Sequence, residues 1–345
     1  MSKIGDGPVR IGLNGFGRIG RNVFRAALNT EGVEIVGIND VMDIDDMAYL
    51  LAYDTVHGRT EGVDTDGENL VVGDLVFPTF GRRDPAELPW DDLDADVAFE
   101  CTGLFRTHDD AIKHVEAGAD RTIISAPPKG EKEILAIVYG VNHDEYESQK
   151  VVSNASCTTN SIAPVAKVLH EAFGIESGQL TTVHAYTGTQ NLIDGPMAKR
   201  RRGRAAAENI IPTSTGAAKA TTEVLPELEG RLDGMAMRVP VPDGSVTDFV
   251  VTLEEDVSVG DVNGVLEAAA AGELEGVLGY TEDEIVSSDI IGQPYSSIID
   301  AGSTMVTGNQ VKVLAWYDNE YGFANRMLDL AKYVVAETEA ETPRA

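Results

Sequence analysis

Cys157 lies in the run Ser153-Asn154-Ala155-Ser156-Cys157-Thr158-Thr159-Asn160, directly before a helical pattern over residues 161–170. A thiol placed there meets unpaired backbone N–H groups and the positive end of a helix dipole, which favour thiolate over thiol at neutral pH. A thiolate is a nucleophile. A free cysteine is more often a small buried apolar residue, but flanking hydroxyls and amides are poor core material and suit a polar pocket. Pro164 reads as a first-turn proline, whose missing N–H does no harm, and Gly174 as the residue that closes the helix after Phe173.

The opening of the chain carries a second constellation. Residues 9–14 read as a buried strand, Gly15-Phe16-Gly17-Arg18-Ile19-Gly20 leads into a helical stretch over 21–28, and a strand over 33–38 ends in Asn39-Asp40. Strand, glycine-rich turn, helix, strand and terminal acid together are the context of a dinucleotide fingerprint. Gly15 permits the tight turn, Gly17 lets a pyrophosphate approach the backbone, and Gly20 allows close helix–strand packing. The helix N-terminus then holds the anion, and Asp40 accepts hydrogen bonds from the adenosine ribose. A nucleotide-binding half and a nucleophilic cysteine in one chain suggest a dehydrogenase that works through a covalent thioester.

These elements need a frame to hold them. With 345 residues the chain is long enough for two domains, each with its own core. Alternating strands and helices continue through strands over 96–101 and 121–125, and the glycine- and aspartate-punctuated segment 61–79 reads as an inserted hairpin. Beyond Phe173 the texture changes to longer strands over 180–186, 234–240, 246–254 and 310–317, with helices over 217–225, 262–271 and 321–335. The expected fold is α/β: a Rossmann-type doubly wound parallel sheet plus a second α+β domain with a mixed or antiparallel sheet. The division falls at residues 1–156 and 157–320, and residues 337–345 read as a frayed tail.

Lys and Arg total 27 against 57 Asp and Glu, a net charge of -30 that repels nucleic acid and anionic membranes. Such an excess of acid with only ten lysines, in a chain that is 43% hydrophobic, points to a halophilic protein whose self-repulsion is screened by salt. The only dense basic run is Lys199-Arg200-Arg201-Arg202-Gly203-Arg204. Two cysteines form no disulfide framework, so a reducing cytoplasm is expected, and no apolar run reaches spanning length.

Several further blocks follow in order: Tyr53-Asp54-Thr55-Val56-His57-Gly58, Ser125-Ala126-Pro127, Thr182-Val183-His184-Ala185-Tyr186-Thr187, Ile211-Pro212-Thr213-Ser214-Thr215-Gly216-Ala217-Ala218-Lys219, Gly234-Met235-Ala236-Met237-Arg238-Val239-Pro240 and Trp316-Tyr317-Asp318-Asn319-Glu320. With the two motifs above, they make the chain similar, nearly end to end, to the phosphorylating glyceraldehyde-3-phosphate dehydrogenase family. The resemblance implies that His184 pairs with Cys157 as thiolate and imidazolium and acts as the base. It implies Thr187, Arg202 and Arg238 as ligands of a substrate phosphate, and Ser156, Thr158, Thr215 and Gly216 as ligands of inorganic phosphate. Asn14, Gly15, Gly17, Arg18, Ile19, Gly20, Asp40, Thr102, Ser125 and Asn319 would hold NAD, with no metal. The resemblance also implies a homotetramer, a basic loop at its interface, and a last helix (321–345) that packs back on the first domain.

Cys101 stands where the family usually has Ser and reads as an inert packed thiol. Val41, Gly188-Thr189, Asn191 and Phe323 depart from common patterns, which leaves NADP use open beside NAD. Two alternatives remain at this level: a dehydrogenase of a neighbouring phosphorylated aldose such as erythrose 4-phosphate, and a non-catalytic dinucleotide- or RNA-binding role of the same fold.

Overall fold

The computed structural model describes residues 7–341, which fall into two compact units. Among these, the first comprises residues 7–137, 143–155 and 324–341, and the second Val138–Asn142 and Ser156–Phe323.

In the first unit, β1 (Val9–Asn14), α1 (Arg18–Ala27) and β2 (Val33–Asn39) follow the sequence pattern. The inner residues of both strands are buried, as in strands covered on two faces. After α2 (Ile44–Ala52) come β3 (Val63–Asp66), β4 (Asn69–Val72) and β5 (Leu75–Phe80), then β6 (Val97–Glu100), β7 (Arg121–Ile124), β8 (Leu135–Ala136) and β9 (Val151–Ser153). The sheet has nine strands in the order β8-β9-β7-β6-β1-β2-β5-β4-β3. All pairs are parallel from β8 through to the β2–β5 pair, and antiparallel from there to β3. Strand order reverses beside β1, and ligands of such sheets bind at the carboxyl ends of the strands flanking that point. The segment read as a separate hairpin is a three-stranded meander whose last strand, β5, joins the main sheet against β2.

The glycine-rich turn is dictated by sterics. Gly15 has φ +97°, and a Cβ there would lie 2.6 Å from the Thr102 amide nitrogen. At Gly20 a Cβ would sit 1.9 Å from the Gly15 carbonyl oxygen, so α1 can run this close to the turn only without a side chain.

The second unit opens with α3 (Cys157–Phe173). Ser156 caps it, its hydroxyl accepting from the Thr159 N–H at 3.1 Å, and Gly174 ends it at φ +65°. Because the helix starts at Cys157, Pro164 is an interior proline and not the first-turn residue its spacing from Ser161 suggested. The strands are β10 (Ile175–Ala185), β11 (Ile211–Ser214), β12 (Leu232–Val239), β13 (Ser245–Leu253), β14 (Leu278–Thr281), β15 (Ser297–Asp300), β16 (Met305–Thr307) and β17 (Gln310–Tyr317). They form a mixed eight-stranded sheet, β11-β12-β10-β13-β17-β15-β14, with β16 paired to β17. Every second residue of β13 is buried, and α3 packs on β13, β15 and β17 through that face. The helices α4 (Ala217–Val224) and α5 (Val259–Ala270) both contact α3.

The last helix, α6 (Tyr321–Glu341), includes residues 337–341 of the segment read as a frayed tail; residues 342–345 lie outside the described residues. Within the first unit, Arg121 Nη2 donates to the Thr338 hydroxyl at 2.6 Å, and Tyr333 meets the His143 ring edge-on. These contacts hold what composition alone read as loose.

Gly20→Ala should destabilise the first unit by about 2–3 kcal/mol, since the clash is with backbone that cannot rotate away. Gly17→Ala, where a Cβ meets nothing within 4 Å, should cost less than about 1 kcal/mol. Urea unfolding of both variants checks the contrast, and equal midpoints would refute it.

Candidate functional site

Each unit carries a cluster of the residues singled out above. In the first, the carboxyl ends of β1, β2 and β6 present Asn14, Asn39 and Glu100 side by side in register. Asp40, just past β2, accepts from the Phe16 N–H at 2.6 Å and from the Met42 N–H at 2.9 Å, which ties the strand end to the glycine-rich turn. Each carboxylate oxygen keeps a lone pair for a ribose hydroxyl. The open space at Gly17, above the N-terminus of α1, leaves room for an anion to approach the backbone. On these grounds the first unit fits a dinucleotide. Ile19 lies in the first turn of α1, and the Ser125 N–H donates to the Glu100 carbonyl at 3.0 Å.

The Arg18 side chain has other employment. Its Nη1 lies 2.5 Å from Asp54 Oδ2. Burial alone would raise the Asp54 carboxyl, but the His57 and Val56 N–H groups and Arg18 together hold it down to about 2. The guanidinium thereby clamps α1 to the Tyr53–Asp54 turn, and what remains for a phosphate is the helix backbone. Burial pushes the Cys101 thiol far up, and the Glu100 charge adds to this, which disfavours a thiolate there.

In the second unit the chain ends of α3, β10, β12 and β17 converge. Cys157 Sγ lies 3.5 Å from His184 Nε2. Arg238 pairs with His184 across β10 and β12, and its Nη1 lies 3.1 Å from His184 Nδ1 and 2.8 Å from the Ala185 carbonyl oxygen. That oxygen is also 2.8 Å from Nδ1, so it can accept the Nδ1 proton and leave the Nε2 lone pair facing the thiol. The ring edge of Tyr317 packs on His184, and the Tyr317 hydroxyl bridges Thr158 at 3.0 Å and Thr182 at 2.7 Å.

The geometry brings the expected pair together. Burial pushes the Cys157 thiol up, and pushes the His184 imidazole down to about 3, with the Arg238 charge lowering the imidazole further. The cation that favours a thiolate is Arg238, and burial works against it at the sulfur.

Burial lowers the Arg238 guanidinium and the nearby Arg202 charge lowers it further, and among the described residues neither arginine forms an ion pair with a carboxylate. Buried Arg238 Nε has no hydrogen-bond partner among them either. An uncompensated pair of guanidinium groups marks an anion site. Arg202 Nε donates to the Thr213 hydroxyl at 3.1 Å, and the Thr187 and Thr189 hydroxyls lie 2.8 Å apart beside it. Within the basic run, Arg204 instead pairs with Asp194 and Lys199 with Ser214, so Arg202 is the arginine available to this site. Thr215 and Gly216 open α4, where the Thr215 hydroxyl accepts from the Ala217 N–H at 3.1 Å. The Ser156 hydroxyl is engaged in its cap, and that of Thr158 faces Tyr317 rather than solvent.

Asn319 is buried. Its Oδ1 accepts from Ser245 Oγ at 2.6 Å, and Ser245 in turn accepts from the Ala185 N–H at 3.1 Å, leaving the Asn319 amide nitrogen as its free donor. Asp318 fixes this turn by accepting from the Glu320 and Tyr321 N–H groups. Tyr317, Thr182 and Ser245 were missed in the sequence. Thr182 had a signal, because it stands two residues before His184 and so shares its face of β10.

A nucleotide-binding sheet beside α1 and a second unit with a thiol, an imidazole and an unpaired arginine couple define the class of nicotinamide-dependent dehydrogenases that act through a cysteine. Residues 9–108 match the family model "Glyceraldehyde 3-phosphate dehydrogenase, NAD binding domain", and residues 156–319 match its C-terminal domain. The chain is 66% identical over 329 residues to the glyceraldehyde-3-phosphate dehydrogenase of Haloarcula vallismortis, covering 95% of this chain and 98% of that one. It is 54% identical over 333 residues to that of Geobacillus stearothermophilus, with 95% and 99% covered, and 54% identical over 330 residues to glyceraldehyde-3-phosphate dehydrogenase 1 of Bacillus subtilis, with 94% and 98% covered. The chain belongs to the glyceraldehyde-3-phosphate dehydrogenase family.

Because Arg238 lowers the Cys157 thiol, Arg238→Gln should raise it. Alkylation by the neutral reagent iodoacetamide should then begin at higher pH than in the wild type, with the plateau rate unchanged. An unshifted profile would show that the guanidinium does not act on the sulfur.

Proposed function

We propose that this chain oxidises D-glyceraldehyde 3-phosphate, with NAD and inorganic phosphate, to 1,3-bisphosphoglycerate. The observation that carries this is the contact between Cys157 and His184 beside the unpaired Arg238 and Arg202. The family match over nearly the whole chain supports it.

As Cys157 Sγ adds to the aldehyde carbon, the thiol proton passes through His184 Nε2 to the aldehyde oxygen, which forms a hemithioacetal and leaves the ring neutral. His184 Nε2, neutral and accepting, takes the proton of the new hydroxyl as the carbon loses hydride. NAD, when bound, supplies the hydride acceptor. The backbone N–H of Cys157 and the imidazole stabilise the developing oxyanion. The carbon is then a thioester, which a phosphate oxygen attacks; the C–S bond breaks and the thiolate leaves as an acyl phosphate is released. Arg238, Arg202 and Thr187 hold the C3 phosphate, whose charge compensates the two guanidinium groups. The amino end of α4 at Thr215 and Gly216, with Ser156 and Thr158 at the start of α3, serves the attacking phosphate. Residues 1–156 with the last helix act as the NAD-binding domain, and 157–320 as the catalytic domain.

The protein is proposed to act in the cytoplasm as a homotetramer in high salt. Leu192, Ile193 and Ile210 are 76%, 77% and 68% exposed, an apolar surface that suits association through their loop. Among the described residues no helix is long and apolar enough to cross a membrane. The net charge of -30 and the likeness to the Haloarcula protein support the salt requirement.

Two measurements test this reading. With phosphate omitted, intact-protein mass spectrometry should show one acyl adduct on Cys157; Cys157→Ser should abolish it, Cys101→Ser should not, and His184→Asn should slow its formation by about two to four decades. An adduct retained in Cys157→Ser would overturn the mechanism. In KCl titrations, melting temperature and activity should both rise toward molar salt as repulsion is screened. Full activity and an unchanged melting temperature in dilute buffer would refute the halophilic assignment.

A further inference from the structure

The mechanism leaves unused a buried ionisable group in the first unit. Glu100, at the carboxyl end of β6, is 1% exposed, and His114 and Trp90 behind it are fully buried. Trp90 Nε1 lies 3.0 Å from His114 Nδ1. An indole nitrogen can only donate, so Nδ1 accepts and the imidazole proton sits on Nε2. Nε2, 3.2 Å from Glu100 Oε2, therefore donates to the carboxylate.

A second relay runs into the same group from the sheet. The Arg82 N–H donates to Asn39 Oδ1 at 2.8 Å, Asn39 Nδ2 donates to Asn14 Oδ1 at 2.7 Å, and Asn14 Nδ2 donates to Glu100 Oε2 at 2.6 Å. The other oxygen, Oε1, accepts from the Thr102 N–H at 2.9 Å and from the Thr102 hydroxyl. That hydroxyl itself accepts from the Leu104 N–H at 3.0 Å, so its rotation is set. Both relays end on one carboxylate, which as an anion offers only acceptors. Asn39 Nδ2 also donates to the Arg82 carbonyl at 3.0 Å, so the Arg82 backbone sets the sense of the Asn39 amide and Glu100 holds the far end of the row.

We propose that Glu100 is a positioning residue of the dinucleotide site: its buried carboxylate terminates both donor relays and so holds the Asn14 amide and the Thr102 hydroxyl in place for bound NAD. Trp90 and His114 hold the carboxylate in place from behind. This rests on the NAD-binding reading of the strand ends at β1, β2 and β6.

Glu100→Gln keeps the shape but turns one accepting oxygen into an N–H₂ donor. NAD titration by calorimetry should show the dissociation constant raised about tenfold or more, while kcat at saturating NAD and the KM for the aldehyde stay within about twofold. In histidine-labelled wild type, ¹⁵N NMR should show His114 as the Nε2–H tautomer, and this signal should change in Glu100→Gln. A purely structural role would lower the melting temperature and leave the NAD affinity of the folded enzyme unchanged, and that result would overturn the proposal. Should Glu100→Gln fail to fold, Thr102→Val removes one donor without altering charge; an NAD affinity equal to wild type would then overturn it. Wild type that binds no NAD would instead refute the underlying site assignment.

Discussion

An arginine buried without a carboxylate organises the second unit. Arg238 lies within hydrogen-bond distance of the His184 ring and the Ala185 carbonyl, and no acidic side chain among the described residues neutralises it. A stranded cation of this kind is costly unless an anion arrives. Its presence favours a negative sulfur on Cys157 and disfavours a positive ring on His184. One charge thus makes the nucleophile easier to ionise and keeps the base free to accept a proton. It also leaves the site short of one negative charge, which a substrate phosphate provides.

That arrangement depends on the sheet. Parallel pairing of β10 with β12 sets His184 opposite Arg238, and antiparallel pairing of β13 with β17 sets Ser245 opposite Tyr317. Ser245 then links Ala185 to Asn319, while Tyr317 ties Thr158 on α3 to Thr182 on β10. A helix N-terminus with a thiol is held against a strand with an imidazole by one phenol hydroxyl. The first unit reverses the sign: there a buried carboxylate gathers donors from the polar row at the strand ends.

The local signals proved readable. Glycines at positions 15 and 20 are required by a left-handed φ and by a backbone contact that any Cβ would violate, so their spacing carried the turn and the start of α1. Gly174 marked the end of α3, and β13 and β17 were read as longer strands. Errors arose where neighbours decide. Residues 337–341 are helical, in a helix whose Thr338 receives Arg121 from more than two hundred positions away, and β5 is a strand of the main sheet because β2 accepts it.

The sequence by itself determined the two chemistries, a dinucleotide turn and a nucleophilic thiol, because each is written within a few consecutive residues whose turn geometry and capping are local. The burial that acts on the thiol and imidazole, the placing of Arg202 against Thr213 and Thr189, and the convergence of two relays on Glu100 were decided by tertiary structure alone. Burial and charge act through space: they depend on which groups β-pairing brings within a few ångströms and which it shuts away from water.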